Sequence, residues 1–244
     1  MMIEAIRIVG LRPALLRAMA PWRAGRARHD PGKVLLDVAI ALALGGDCLA
    51  DVAAVRAQRD LFGMVASDPT VCRLFATLSA DAVTADSAVA ALRLARAAAR
   101  ERAWSRCRPL AGRPGTRDGG QVIVDIDATL VTAHSDKEGA EATHKKSYGF
   151  APMCAFVDHG EHGTGETLAL DLRPGKASPF SSADHIAVLH SALQQLPDGE
   201  RDQVLFSPAE DYTRRLVASA PVPDPGEQRQ RRAARLSLES AELS

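Results

Sequence analysis

"VIVDIDATLV", Val122 to Val131, is the stretch on which the reading of the fold turns. Val122, Ile123, Val124 and Ile126 make an apolar, β-branched run, and such side chains fit a pleated surface, so a buried strand is predicted here rather than a helix. Side chains two apart on a strand share a face, which would put Asp125 and Asp127 one above the other at the strand's C-terminal end. Two carboxylates so placed repel unless a cation or a proton neutralises one of them. In the plainest arrangement one acid pairs with an arginine and the other caps a turn.

Two chemistries also use such a pair. D-x-D-x-T after an apolar strand resembles the first motif of the haloacid-dehalogenase superfamily, in which an aspartate is the nucleophile of phosphoryl transfer. The other is metal-dependent attack on a polynucleotide, where an acid on the first strand of an RNase H-like sheet holds a divalent ion. The residues outside the motif have to decide.

The chain has 244 residues, 46% of them hydrophobic and 25% charged, enough for a sizeable core in one large or two small domains. "VLLDVAIALAL", Val34 to Leu44, is too short to span a bilayer and carries Asp37, and no signal-peptide pattern opens the chain. No membrane association and a cytoplasmic location are therefore expected. Cys48, Cys72, Cys107 and Cys154 show no C-x-x-C spacing, which points away from a zinc site or disulfide framework and towards small buried residues. The formal net charge of zero hides a division. Residues 1–117 hold 18 Lys+Arg against 10 Asp+Glu, and the remainder holds 12 against 20. A basic front half suggests a polyanionic partner, and an acidic back half suits a metal.

The front half reads as helices over roughly 2–19, 31–44, 48–59, 69–79 and 81–104. In "SDPT" Asp68 is expected to cap a helix that has Pro69 at its first position. Arg93, Arg96 and Arg100 follow spacings of three and four, which would align them on one basic helical face. Together with Arg23, Arg26, Arg28, Lys33 and the arginines from Arg102 to Arg117, that face reads as phosphate contacts spread over a helical module. A solvated helix face is the bland counterpart. The predicted division is a helical, DNA-binding region over 1–108, a Pro- and Gly-rich linker over 109–120, a catalytic domain over 121–212 and a disordered tail over 213–244.

Beyond the linker the strand candidates "MCAFVDH" and "TLALDLR" flank a turn and predict a hairpin. A helix, "SSADHIAVLHSALQQLP", should follow, capped by Ser181 or Ser182, with Ile186, Leu189, Leu193 and Leu196 as its apolar stripe; "QVLF" is a short strand candidate. A haloacid-dehalogenase core needs a crossover helix after its motif strand, because parallel neighbours cannot be joined by a hairpin. A hairpin then a helix is the order of the RNase H-like fold. The expected class is thus α/β (α+β): a helical N-terminal region, then a partial RNase H-like domain with a three-stranded antiparallel start, a helix and a short strand.

"DIDATLVTAHSDKEGA", "KKSYGFAPMCAFVDHG", "TGETLALDLRPGKASP" and "ADHIAVLHSALQQLP" resemble the DDE transposases of bacterial insertion sequences, in particular the group named after insertion sequence thirteen-eighty in high-GC actinobacteria. The helical front half looks like the N-terminal region of the same group, and the resemblance runs through roughly residues 11–197. It implies three carboxylates that hold Mg²⁺ or Mn²⁺ for in-line attack on a phosphodiester. The family's D-x-T falls on Asp127, Ala128 and Thr129, making Asp127 the catalytic metal ligand, Asp125 a supporting acid and Thr129 a packing or capping residue. Lys145 and Lys146, with Tyr148 nearby, lie where a DNA strand could be met. The implied partner is double-stranded DNA bearing the element's terminal repeats, met at the nucleoid, with a homo-oligomer left open.

The family's second acid should follow the fourth strand. "QVLFSPAEDYTRRL" offers Glu210 and Asp211 without the expected Gly-rich turn, and no third acid stands in a matching block. A truncated or frame-shifted, catalytically inactive version is the resulting expectation, with a phosphohydrolase using Asp125 and Asp127, or a non-catalytic DNA-binding protein, as alternatives. A zinc site from Asp158, His159 and His162 is disfavoured by the glycines around it.

Overall fold

The computed structural model describes residues 1–111, 122–159, 165–201 and 204–207, without side chains for 107–111 and 205–207. It divides into two compact units, Met1–Gly112 and Arg113–Ser244.

The first unit is helical. The expected helix over 2–19 is two helices, α1 (Met2–Val9) and α2 (Leu11–Ala18). Gly10 separates them at φ 67°, a left-handed conformation in which its N–H bonds the last turn of α1. After a 3-10 turn at Ala20–Trp22 comes α3 (Pro31–Ala43), where Asp30 accepts a 2.9 Å bond from Gly32 N–H and Pro31 takes the first helical position. Most of α3 is buried, and it forms the centre of the unit. Leu36 and Ile40 pack with Leu15 of α2 and Val52 and Val55 of α4 (Val52–Ala57), while Leu35 joins Met19, Leu78 and Ala88 in a second cluster.

The remaining helices are α5 (Arg59–Phe62), α6 (Asp68–Leu78) and α7 (Ala82–Ala111). Ser67, not Asp68, stands at the cap position of α6, and Asp68 instead forms an ion pair with Arg56. The helix expected to stop at 104 continues to Ala111, so the first three residues assigned to the linker are helical. Cys48 and Cys72 are exposed, contrary to expectation, and Cys154 is buried.

The second unit is built on a four-stranded sheet of β1 (Val122–Ala128), β5 (Met153–Val157), β6 (Glu166–Asp171) and β7 (Val204–Ser207), in the order β6-β5-β1-β7. The pairs β1–β5 and β5–β6 are antiparallel, whereas β7 runs parallel to β1. The connection from β6 to β7 includes α8 (Ser182–Leu193) and a short α9 (Asp198–Arg201). An antiparallel three-stranded start, a helix and a short strand are the order expected from the sequence; the parallel pairing of that last strand with β1 is a finding of the structure, and the sheet is not the all-parallel one a haloacid-dehalogenase core would need.

Ser181 caps α8, accepting a 3.3 Å bond from Asp184 N–H. The predicted stripe is only partly the buried face: Leu196, just past the helix, is 1% exposed, but Ile186, Leu189 and Leu193 are half-buried, and Val188 and Ala192 are the buried apolar residues of α8 itself.

A second sheet, for which the sequence offers no strand candidates, lies between β1 and β5: β2 (Val131–Thr132), β3 (Glu141–Ala142) and β4 (Tyr148–Phe150), in the order β2-β4-β3. Strands of two or three residues carry too little pattern to be recognised in sequence. Gly149, at φ 151°, makes the pairing possible, since a Cβ there would stand 2.0 Å from the Val131 carbonyl oxygen.

Candidate metal centre and basic surfaces

Alternation along β1 sorts its side chains by chemistry. Val122 and Val124 are 0% and 1% exposed on one face, while Asp125 is half-buried and Asp127 exposed on the other. The two acids therefore share a face at the strand's C-terminal end, as the period-two reading requires. Asp127 stands opposite Cys154 of β5, and Asp125 opposite Phe156 on one side and Ser207 of β7 on the other. Directly opposed residues point the same way, so the thiol neighbours the Asp127 carboxylate. Burial, and then the negative charge of Asp127, push the Cys154 thiol above its ordinary pKa.

This pair suits a hard divalent cation such as Mg²⁺ or Mn²⁺, which prefers oxygen donors, and a protonated Cys154 adds no ligand. Among the described residues the acids are not joined by a third ligand: the single group of three His, Cys, Asp or Glu side chains close enough to share an ion is Asp47, Cys48 and Asp51, in the helical unit. The Asp51 carboxylate already accepts bonds from Cys48 N–H at 2.9 Å and Asp47 N–H at 2.8 Å, and these hold its pKa below the usual carboxylate value. It closes a turn. Glu210, Asp211 and His162 lie outside the described residues, and His159 approaches Glu166 at 3.3 Å across the β5–β6 connection. Thr129 is exposed; its backbone N–H adds a further rung, 3.0 Å from the Pro152 carbonyl oxygen.

One residue that the sequence reading missed organises this end of the sheet. Arg173, 5% exposed, donates to the Ala151 carbonyl at 3.0 Å, the Ser178 carbonyl at 2.9 Å and the Asp184 carboxylate at 2.7 Å. It thus ties the β4–β5 connection to the first turn of α8, beside the sheet end where Asp127 emerges. No local pattern marks it, since the bond to Ala151 spans 22 residues.

The lysines of the polar segment sit at the tip of the β3–β4 hairpin. Thr143 N–H bonds Ser147 O at 2.8 Å and Lys146 N–H bonds Thr143 O at 3.1 Å, with Lys146 itself at φ 61°. Lys145 and Lys146 are exposed, and Tyr148 stacks on His134 with ring centroids 5.9 Å apart. The arginine series of α7 is not one open face. Arg96 is exposed, Arg93 half-buried and Arg100 only 7% exposed, although the spacing keeps all three within about 60° around the helix, so exposure is set by what covers each turn of α7 and not by the spacing. Lys33, grouped by sequence with the phosphate contacts, is instead bound to Asp37 at 2.6 Å.

Among the described residues no helix is long and apolar enough to cross a membrane. A family model described as "Transposase DDE domain group 1" matches residues 1–205. No curated protein and no solved structure matches the chain.

Proposed function

Since the chain belongs to the group 1 family of transposase DDE domains, we propose that it is a DNA-transposition protein of insertion-sequence type, related to the thirteen-eighty group, that binds the element's terminal repeats. The observation that carries this reading is the pair Asp125 and Asp127 on the open face of β1, in a sheet whose fourth strand returns parallel to it. Asp127 is the catalytic acid and principal metal ligand, and Asp125 supports it. A divalent ion bound there supplies Lewis acidity to a phosphodiester. The chain's own contribution is positional: Arg173 fixes the sheet end, and Lys145 and Lys146 approach a DNA strand from the hairpin tip. Arg93 and Arg96 add phosphate contacts from the helical region. Arg100, being buried, is better suited to holding α7 in place.

Strand transfer requires two ions about 3.5–4 Å apart between converging ligands, and two acids on one strand cannot fix both. We therefore take this chain to bind DNA and one metal ion weakly, without cleaving or joining DNA. Calorimetric titration of the full chain with Mn²⁺ should show weak saturable binding that Asp127→Ala reduces at least tenfold; equal affinity in the variant removes Asp127 as the ligand. Metal-dependent nicking of terminal-repeat DNA, abolished by Asp127→Ala, would overturn the inactivity and turn attention to Glu210 and Asp211. A burst of phosphate-ester hydrolysis lost in Asp125→Asn would support the phosphohydrolase instead.

A further inference from the structure

Several cations of the helical unit have partners within it. Arg7 is paired with Glu4, Arg23 with Asp30 and Lys33 with Asp37. Arg56 is occupied by the Ala66 carbonyl, at 2.9 and 3.1 Å, and by Asp68. Arg28 and Arg59 have no ion pair or side-chain hydrogen bond among the described residues, yet they line one groove of about 340 Å³.

Its construction is not that of a solvated charge run. Arg28 and His29 come from the segment before α3, whereas Arg59 belongs to α5, 30 residues after His29 in the chain. Met64 and Val65, in the α5–α6 connection, supply an apolar wall, Val65 being 8% exposed. No carboxylate lines the groove. The neighbouring acids are engaged, Asp30 with Gly32 N–H and Arg23 and Asp68 with Arg56, while Asp60 follows Arg59 on α5. Guanidinium groups without a counter-charge repel one another, and a phosphate offers each the paired oxygens that its fork of donors matches.

We infer that this groove is a phosphate-binding site, taking one phosphate of a sugar–phosphate backbone between Arg28 and Arg59 with the sugar against Met64. The DNA backbone as the phosphate's source rests on the function proposed above; the phosphate chemistry itself does not. Lattices of surface arginines bind DNA diffusely, whereas a built site makes a defined contribution to the salt dependence, since each neutralised phosphate adds about 0.9 to the slope of log affinity against log salt.

The test compares the full chain with Arg28→Ala/Arg59→Ala, after thermal unfolding has shown that the two have similar midpoints. In the first arm, duplex DNA binding is followed by fluorescence anisotropy over a salt series. The double variant is expected to bind about tenfold more weakly, with a slope shallower by about one. In the second arm, inorganic phosphate is added at constant ionic strength while the His29 imidazole signals, assigned with His29→Gln, are followed by NMR. They should shift in the parent chain and stay still in the double variant. If the parent binds DNA but the slopes agree and phosphate leaves His29 unmoved, the groove is not a phosphate site while the DNA reading stands. If the parent ignores DNA but phosphate shifts His29 through Arg28 and Arg59, the site stands with free phosphate as its ligand and the DNA reading falls. Failure of both arms removes both.

Discussion

Asp37 in the helical unit and Arg173 in the sheet unit are both buried charges, but they are held in different ways. Asp37 meets Lys33 one turn earlier on its own helix, at 2.6 Å, so its compensation is local. Arg173 draws on Ala151, Ser178 and Asp184, which belong to three parts of the chain. A local pair forms whenever α3 forms, and failure of it isolates a charge in the core. A distributed clamp exists only after the sheet, the β4–β5 connection and α8 have met, and failure of it loosens their junction.

Breaking the local pair should have the largest effect. Lys33→Met leaves Asp37, whose side chain is 2% exposed, without its cation, and a loss of about 3–5 kcal/mol is expected in urea unfolding. Adding Asp37→Leu should recover most of that loss, because an apolar pair of similar volume needs no compensation. If the double variant is no better than the single, burial of the lone carboxylate is not what costs stability.

Arg173→Ala should cost less, about 2–3 kcal/mol, because its partner Asp184 is 34% exposed and water can take over part of the bonding. Hydrogen exchange should locate the loosening at the start of α8 and the β4–β5 connection. A loss spread evenly over the second unit would argue against a junction role.

Helix caps offer a finer comparison. Asp30→Ala, which removes a 2.9 Å bond at a helix reinforced by Pro31, should destabilise by about 1–2 kcal/mol, and Ser181→Ala, which removes a 3.3 Å bond, by about 0.5–1 kcal/mol. The reverse order in thermal unfolding would show that cap geometry does not set the difference.

The smallest expected effect is a pH dependence. Burial raises the Asp37 carboxyl above its ordinary value, with Lys33 opposing the shift. A raised folded value means that the contribution is fully present below the unfolded carboxyl pKa and is lost as pH rises through the folded one. Stability measured upward from the acid side should therefore contain a falling component that Asp37→Asn removes. Identical pH slopes in parent and variant would contradict a raised value.

The legibility of the candidate centre follows the same division between local and distant. Asp125 and Asp127 could be placed on one face from spacing alone, because strand alternation is a property of the backbone. That Cys154 adjoins Asp127 could not, since the register of β1 against β5 joins residues 27 apart. The Arg93, Arg96 and Arg100 series shows the limit in a helix: spacing puts the three near one another but does not say which way α7 faces, and Arg100 is turned inward. The small β2-β4-β3 sheet escaped notice because its strands are too short to alternate, and the groove of Arg28 and Arg59 because its cations lie on separate elements.

By itself, then, the sequence determined the helical front, the β-strand with its paired acids, the hairpin, a helix opening at Ser181 or Ser182 and a short strand near Val204, all of which depend on periodicity, capping and turn chemistry within a few residues. Only the tertiary structure decided which face of α8 is buried, which cations remain unpaired, and what stands beside Asp127. Those outcomes depend on packing and on hydrogen bonds between segments far apart in the chain, where a side chain's environment is set by partners that its own neighbourhood in sequence does not contain.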